Sequence, residues 1–241
     1  MTQSFAPNVM PEFRIKLFGT RDGMKVYLVD GFKIRNTIDL DFTDGASHLE
    51  SKPVPDNEIW IDQDAQGDRE YKLTLADVIG TRSGLMSGLP LDKAWKLGAK
   101  IEGALRQKQF PSQWLKGGKI DVKQLGFAQG TPVYLVDGMA TRNRYDVDFV
   151  EGGNSEVYPW MKNALGDPSV AIDNSVFPHE RPYIGLHELF ESRGMRSEGT
   201  QYNQAHRQAN RVELAARHDP QFLATALKRL GWEGDPRALG Q

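Results

Sequence analysis

The chain reads as an α+β protein made of two tandem copies of one small unit, each a β-hairpin plus a short strand followed by two helices. Two observations carry that reading. The segment Val26-Tyr-Leu-Val-Asp-Gly31 returns unchanged as Val133-Tyr-Leu-Val-Asp-Gly138, and the features that follow it keep their order in both copies. At an offset of 107, Arg35-Asn36 matches Arg142-Asn143, Asp39 matches Asp146 and Asp41-Phe42 matches Asp148-Phe149, giving 11 identities in 17 positions. Beyond a stretch of unequal length, Ile59-Trp-Ile-Asp62 aligns with Val170-Ala-Ile-Asp173, and Arg69-Glu-Tyr71 with Arg181-Pro-Tyr183. An offset of 111 then carries residues 75–100 onto 186–211, with Arg82, Gly88 and Ala94 recurring as Arg193, Gly199 and Ala205.

The elements follow from local chemistry, read on the second copy. Residues 133–136 are apolar and β-branched, Asp137-Gly138 is a turn pair, and Tyr145, Val147 and Phe149 alternate with Asp146 and Asp148. That pattern predicts a hairpin with one wet face. Residues 170–173 predict a short strand. Residues 180–193 predict a helix, because Ile184, Leu186, Leu189 and Phe190 recur near helical spacing and Gly194 offers a C-terminal stop. A second helix is expected over about 201–217. A third, at 220–230, would pack through Phe222, Leu223, Ala226, Leu227 and Leu230. The predicted division is a degenerate first repeat at 12–105, a linker at 106–126 and a second repeat at 127–241. The linker holds Pro111 and Gly117-Gly118, and its Phe110, Trp114 and Leu115 predict that it docks and is not a free tether.

Composition narrows the function classes. With 30 basic and 32 acidic residues the net charge is -2, so no field steers the molecule toward nucleic acid. No run of apolar residues is long enough for a membrane span, and residues 1–19 contain no signal-peptide core. The expectation is a soluble protein of the cytoplasm. The chain has no cysteine, which leaves His, Asp and Glu as the strong metal ligands. Neither Gly117-Gly118 nor Gly152-Gly153 has the context of a phosphate loop.

Only the second copy carries a cluster of such ligands. In Leu186-His187-Glu188-Leu189-Phe190-Glu191, His187 and Glu191 stand at i and i+4 and project from one helix face. Glu188 bears the relation to His187 that the general base bears to the first ligand in a His-Glu-x-x-His hydrolase, with Glu191 replacing the second histidine. The next helix aligns Tyr202, His206, Asn210 and Glu213 on one stripe. Packed together, the helices would present His187, Glu191 and His206 to zinc, with Glu188 as catalytic base. Tyr202, Asn210 and Glu213 would serve as supporting groups or alternative ligands. At the offset of 111 the first copy has Ala76, Asp77 and Trp95 opposite His187, Glu188 and His206, while Glu102 matches Glu213. His179 and His218 read as caps or exposed residues and His48 as a loop residue. The aspartate pairs 39/41 and 146/148 read as the wet face of the hairpin. Tyr158, Trp160 and Phe177 read as core or cleft wall.

These helices resemble those of uncharacterised phage and bacterial proteins that join a Leu-His-Glu-Leu helix to one of the form Tyr-x-x-Ala-His-x-x-Ala-Asn-x-x-Glu. Here these are residues 186–189 with Glu191, and residues 202–213. The resemblance covers most of the second copy and implies a zincin-like fold. The chain departs from it where Ser192 precedes Arg193, and where Asn154 stands in place of an expected histidine. Two expectations follow: a zinc-dependent, peptidase-like hydrolase acting on a peptide, or a non-catalytic phage virion component whose duplicated hairpins contact a protein partner.

Overall fold

The computed structural model describes residues 10–64, 67–110, 119–233 and 239–240. The chain forms two compact α+β units, residues 1–109 and 110–241. The first unit runs β1 (Arg14–Arg21), β2 (Met24–Val29), α1 (Gly31–Thr37), β3 (Gly45–Ser47), β4 (Glu58–Asp62), α2 (Gly67–Met86) and α3 (Leu91–Gln109). Its sheet has the order β1-β2-β4-β3, with β2 parallel to β4 and the outer pairs antiparallel.

The second unit runs β5 (Val122–Ala128), β6 (Thr131–Val136), α4 (Gly138–Arg144), β7 (Gly152–Asn154), α5 (Pro159–Ala164) and β8 (Val170–Asp173). It continues through α6 (Arg181–Glu198), α7 (Tyr202–His218), α8 (Pro220–Arg229) and β9 (Trp232–Glu233). Its sheet has the order β7-β8-β6-β5-β9, again with one parallel pair, β6 and β8, at its centre. Strand β8 is buried along its whole length, as a central parallel strand covered on both faces should be. Successive side chains point to opposite faces. Val170 and Ile172 therefore join Ile184, Leu186, Leu189 and Leu227 in one core cluster, and Ala171 joins Phe149 and Met161 in another.

The same internal contacts recur in both units. Arg35 Nη1 reaches the Phe42 carbonyl at 3.1 Å and the Asp62 carboxylate at 2.7 Å; Arg142 Nη1 reaches the Phe149 carbonyl at 3.1 Å and pairs with Asp173. Asp30 caps α1 through the Lys33 N–H at 3.0 Å, and Asp137 caps α4 through the Ala140 N–H at 2.9 Å. A Cβ on Gly31 would overlap the Asp62 carboxylate, and one on Gly138 the Asp173 carboxylate. Glycine is required there because the backbone passes against the buried acid that holds the arginine.

Several local expectations are corrected. The hairpin is β5–β6, and Asp137-Gly138 opens helix α4, because the Asp137 side chain satisfies an orphan N–H of the first turn and so acts as an N-cap. Residues 145–149 form no strand. Asp39 and Asp146 accept the N–H groups of Asp41 and Asp148 at 3.2 and 3.1 Å, making turns where a wet hairpin face was expected. Helix α6 passes through Gly194 and ends at Gly199, whose φ of 64° is the left-handed conformation that stops a helix. Of the predicted linker, residues 106–109 complete α3 and 122–126 belong to β5. Pro111, Trp114, Leu115 and Gly117-Gly118 lie outside the described residues, as do residues 1–9 of the stretch read for an export signal. Among the described residues no helix is long and apolar enough to cross a membrane.

Candidate metal centre

Helix α6 begins with Pro182 in its first turn, and four residues of spacing place His187 and Glu191 on one face. Small residues on α7, Ala205, Ala209 and Ala216, are buried and let the two helices approach closely. The ligand atoms then converge. His187 Nε2 lies 3.2 Å from His206 Nδ1, His206 Nδ1 lies 3.0 Å from Glu191 Oε2, and His187 Nε2 lies 3.8 Å from Glu191 Oε2. These three residues form the one group among the described residues whose His and carboxylate atoms are spaced to hold a metal ion.

The triangle has the dimensions of a coordination face. Ligands about 2.0–2.1 Å from a tetrahedral zinc lie about 3.3 Å from one another. The three edges bracket that value, so the donors fit zinc with shifts of a few tenths of an ångström. His187 and Glu191 are buried, whereas 34 % of the His206 side chain is exposed, so the face opens to solvent on the α7 side.

The surrounding groups are held in turn. His187 Nδ1–H donates to Glu213 Oε2 at 2.8 Å, which leaves Nε2 directed at the triangle. Arg217 donates Nε–H to Glu213 Oε1 at 2.8 Å and Nη1–H to Glu180 at 2.7 Å. Burial works to raise the Glu213 pKa, but the bond from His187 and the charge of Arg217 hold it below the ordinary value. Burial likewise opposes the charge on His187, yet Glu191 and Glu213 push its pKa up to about 10. Glu191, despite its own burial, falls to about 2 beside the two histidines. Burial raises Glu188 to about 7, a value suited to proton transfer near neutrality.

Tyr202 stacks on the His206 ring with centroids 5.6 Å apart, and Asn210 sits half-buried between His206 and Glu213 on the α7 stripe. His179 stacks on Phe177, and exposed His218 ends α7. His48 lies in the turn after β3, outside the cluster. Trp160 packs on Phe149 and Tyr145 in the core. Asn154, noted in the sequence only as a departure from an expected histidine, is a site residue at the end of β7: its Nδ2 contacts both Glu188 and Glu191. A cavity of about 260 Å³ lined by Leu189, Ser192, Arg193 and Arg196 runs along the other face of α6, away from the triangle.

The match between the two units needs one adjustment. Gly84 packs on Ala94 as Gly194 packs on Ala205, and a Cβ on Gly45 would meet Thr74 as one on Gly152 would meet Ile184. Arg106 also bonds Glu102 and Glu70 as Arg217 bonds Glu213 and Glu180. All three correspondences align α2 with α6 at an offset of 110, while α3 and α7 keep 111. The residue opposite His187 is therefore Asp77, not Ala76, and Val78, not Asp77, stands opposite Glu188. Thr81 stands opposite Glu191, and Trp95 remains opposite His206. In the first unit a Cβ on Gly98 would overlap Thr81 and Asp77, whereas the second unit carries Ala209 there. Asp77 and Thr81 thus pack directly on the backbone of α3 at Gly98 in the first unit.

No protein-family model matches the chain, and no curated protein or solved structure does.

Proposed function

We propose that the second unit is a zinc-dependent, peptidase-like hydrolase in which His187, Glu191 and His206 hold the metal and Glu188 is the general base. The observation that carries the reading is the donor triangle, whose edges of 3.0, 3.2 and 3.8 Å suit a tetrahedral ion. Two imidazoles and one carboxylate form a ligand set that leaves a fourth position open, and purely structural zinc sites are usually closed by four protein ligands. A bound zinc would supply Lewis acidity, polarising a carbonyl and bringing the pKa of its water toward neutrality.

The chain's own part is to hold and move a proton. Asn154 Nδ2 bonds Glu188 Oε2 at 2.9 Å and Glu191 Oε1 at 2.8 Å, which keeps the Glu188 carboxyl beside the ligand carboxylate. With Oε2 engaged, Oε1 is the oxygen that accepts a proton from attacking water and returns it to a leaving amine. Glu213 keeps His187 in the tautomer that presents Nε2.

Metal analysis of the purified protein beside the His187→Ala/His206→Ala double variant tests the binding step. About one zinc per chain is expected in the native protein and none in the variant. Equal content in both, or none in either, refutes the reading. Hydrolysis of a peptide library then tests the base: Glu188→Gln should keep the metal and lose about 10²–10⁴-fold in turnover.

A further inference from the structure

Asn154 spans the two carboxylates of the site, and its orientation is fixed from both ends. The side chain is fully buried. Its Oδ1 accepts the backbone N–H groups of Glu156 and Val157 at 3.2 and 3.3 Å. Its Nδ2 donates to Glu188 Oε2 and Glu191 Oε1 at 2.9 and 2.8 Å. A flipped amide would set two N–H groups against Nδ2 and two carboxylates against Oδ1, so this assignment alone satisfies all four partners. The turn at residues 154–157 thus aims one amide at two acids on helix α6.

We infer that Asn154 is a positioning residue that restricts Glu191 to single-oxygen ligation and holds Glu188 beside the same metal. The inference rests on the metal reading given above. Glu191 has two oxygens: Oε2 faces His206 at 3.0 Å and belongs to the donor triangle, while Oε1 is occupied by Asn154. A carboxylate with a free second oxygen can turn and bind through both, which closes the open coordination position. By engaging Oε1, Asn154 keeps that position available. By engaging Glu188 Oε2 with its second N–H, it prevents that acid from swinging in as a further ligand. The two roles need one group with two donors at a fixed separation, and a primary amide meets that need.

The first unit gives the contrast. Ser47 occupies the equivalent place at the end of β3, and its N–H and hydroxyl bond Glu50 Oε2 at 3.1 and 2.9 Å, within its own turn. A serine therefore suits this backbone position, while its hydroxyl stays with the turn. Asn154→Ser keeps a polar group for the turn and removes the reach to α6.

The test is cobalt(II) loading of the full chain, because cobalt replaces zinc in N/O sites and its visible absorption reports coordination number. The native protein should give the strong band of four-coordinate cobalt. Asn154→Ser should bind cobalt about 10–100-fold more weakly, with absorption per metal several-fold lower as Glu191 binds through both oxygens. Asn154→Ala should behave the same way, and far-UV circular dichroism checks that both variants are folded. Native band intensity and native affinity in either folded variant overturn the inference while leaving the metal reading intact. If the native protein takes up no cobalt, the metal reading fails and the inference falls with it.

Discussion

Glu102 and Glu213 occupy equivalent places, each four residues before a buried arginine that reaches back to a glutamate near the start of the preceding helix. Arg106 Nε bonds Glu102 at 2.6 Å and Nη1 bonds Glu70 at 2.8 Å; Arg217 Nε bonds Glu213 at 2.8 Å and Nη1 bonds Glu180 at 2.7 Å. The same substitution, glutamate to glutamine, should nevertheless have unequal consequences. Burial pushes the Glu102 pKa up to about 7 against the pull of Arg106, with Asp44 and Glu70 adding repulsion, so its charge is the less favoured of the two and a neutral glutamine is the closer mimic there. Glu213 has two cations, Arg217 and His187, and stays ionised. At pH 6, Glu102→Gln should cost less than about 1 kcal/mol, the range of a neutral hydrogen bond. Glu213→Gln removes one partner from a buried ion pair and should cost about 3–5 kcal/mol. It should also weaken zinc about 10–100-fold through loss of the His187 orientation, an effect Glu102→Gln lacks. Hydrogen exchange read by mass spectrometry separates helices α2–α3 from α6–α7 in the intact chain, and competition with a chromophoric chelator gives the zinc affinity. Equal destabilisation by the two variants, or equal zinc affinity, would refute the argument that the histidine is what distinguishes these twin ion pairs.

Two further predictions concern the scaffold. In the first unit, burial raises both Glu50 and Glu102 from 4.5 to about 7. The folded state binds these protons more tightly than the unfolded state, so this stabilisation is present below about pH 4.5 and is lost as pH rises through 7. Exchange protection of α2–α3 should fall between pH 5 and 8, after correction for intrinsic rates, and Glu50→Gln/Glu102→Gln should flatten the trend; protection that is flat or rising in the native protein contradicts it. Gly138→Ala forces a methyl group into the Asp173 carboxylate that holds Arg142. It should cost about 1–3 kcal/mol in a urea titration, and a melt superimposable on the native one would show that Asp173 can move aside.

Those elements whose residues have a single physical role were legible in the sequence. Strand β8 matches its predicted bounds because four buried residues in a row suit a central parallel strand, and α6–α8 follow their apolar spacing. Dual-purpose chemistry misled. An Asp-Gly pair serves a hairpin turn and a helix N-cap alike, and nothing local at Asp137-Gly138 says which. The true partner strand, β5, is mostly exposed and alternates poorly, so it offers no periodic signal. The convergence of His187 and Glu191 was legible from their i+4 spacing on α6, and that of His206 from the polar stripe on α7. Their pairing with the first unit slipped by one residue along α2, because α2 and α6 are related by an offset of 110 amid low identity. Only contacts that join elements, such as Gly84 on Ala94, fix that register.

The corrected register changes what separates the units. The corrected register moves Asp77 from the place of Glu188 to that of His187 and puts Thr81 opposite Glu191, so with Ser47 opposite Asn154 the first unit is polar there but too short in reach. Asp77 and Thr81 lie so close to α3 that only a glycine fits at position 98, whereas Ala209 takes that place between α6 and α7. The small residue at this place thus goes with the short side chains that pack on it in the first unit. The Arg–Glu pairs that pin the helices at one end are common to both units, and in the second they also anchor Glu213. The Arg–Glu contact of the first unit thus recurs in the second with His187 added at the other oxygen of the carboxylate, while the grip on the distant glutamate changes from two oxygens of Glu70 to one of Glu180.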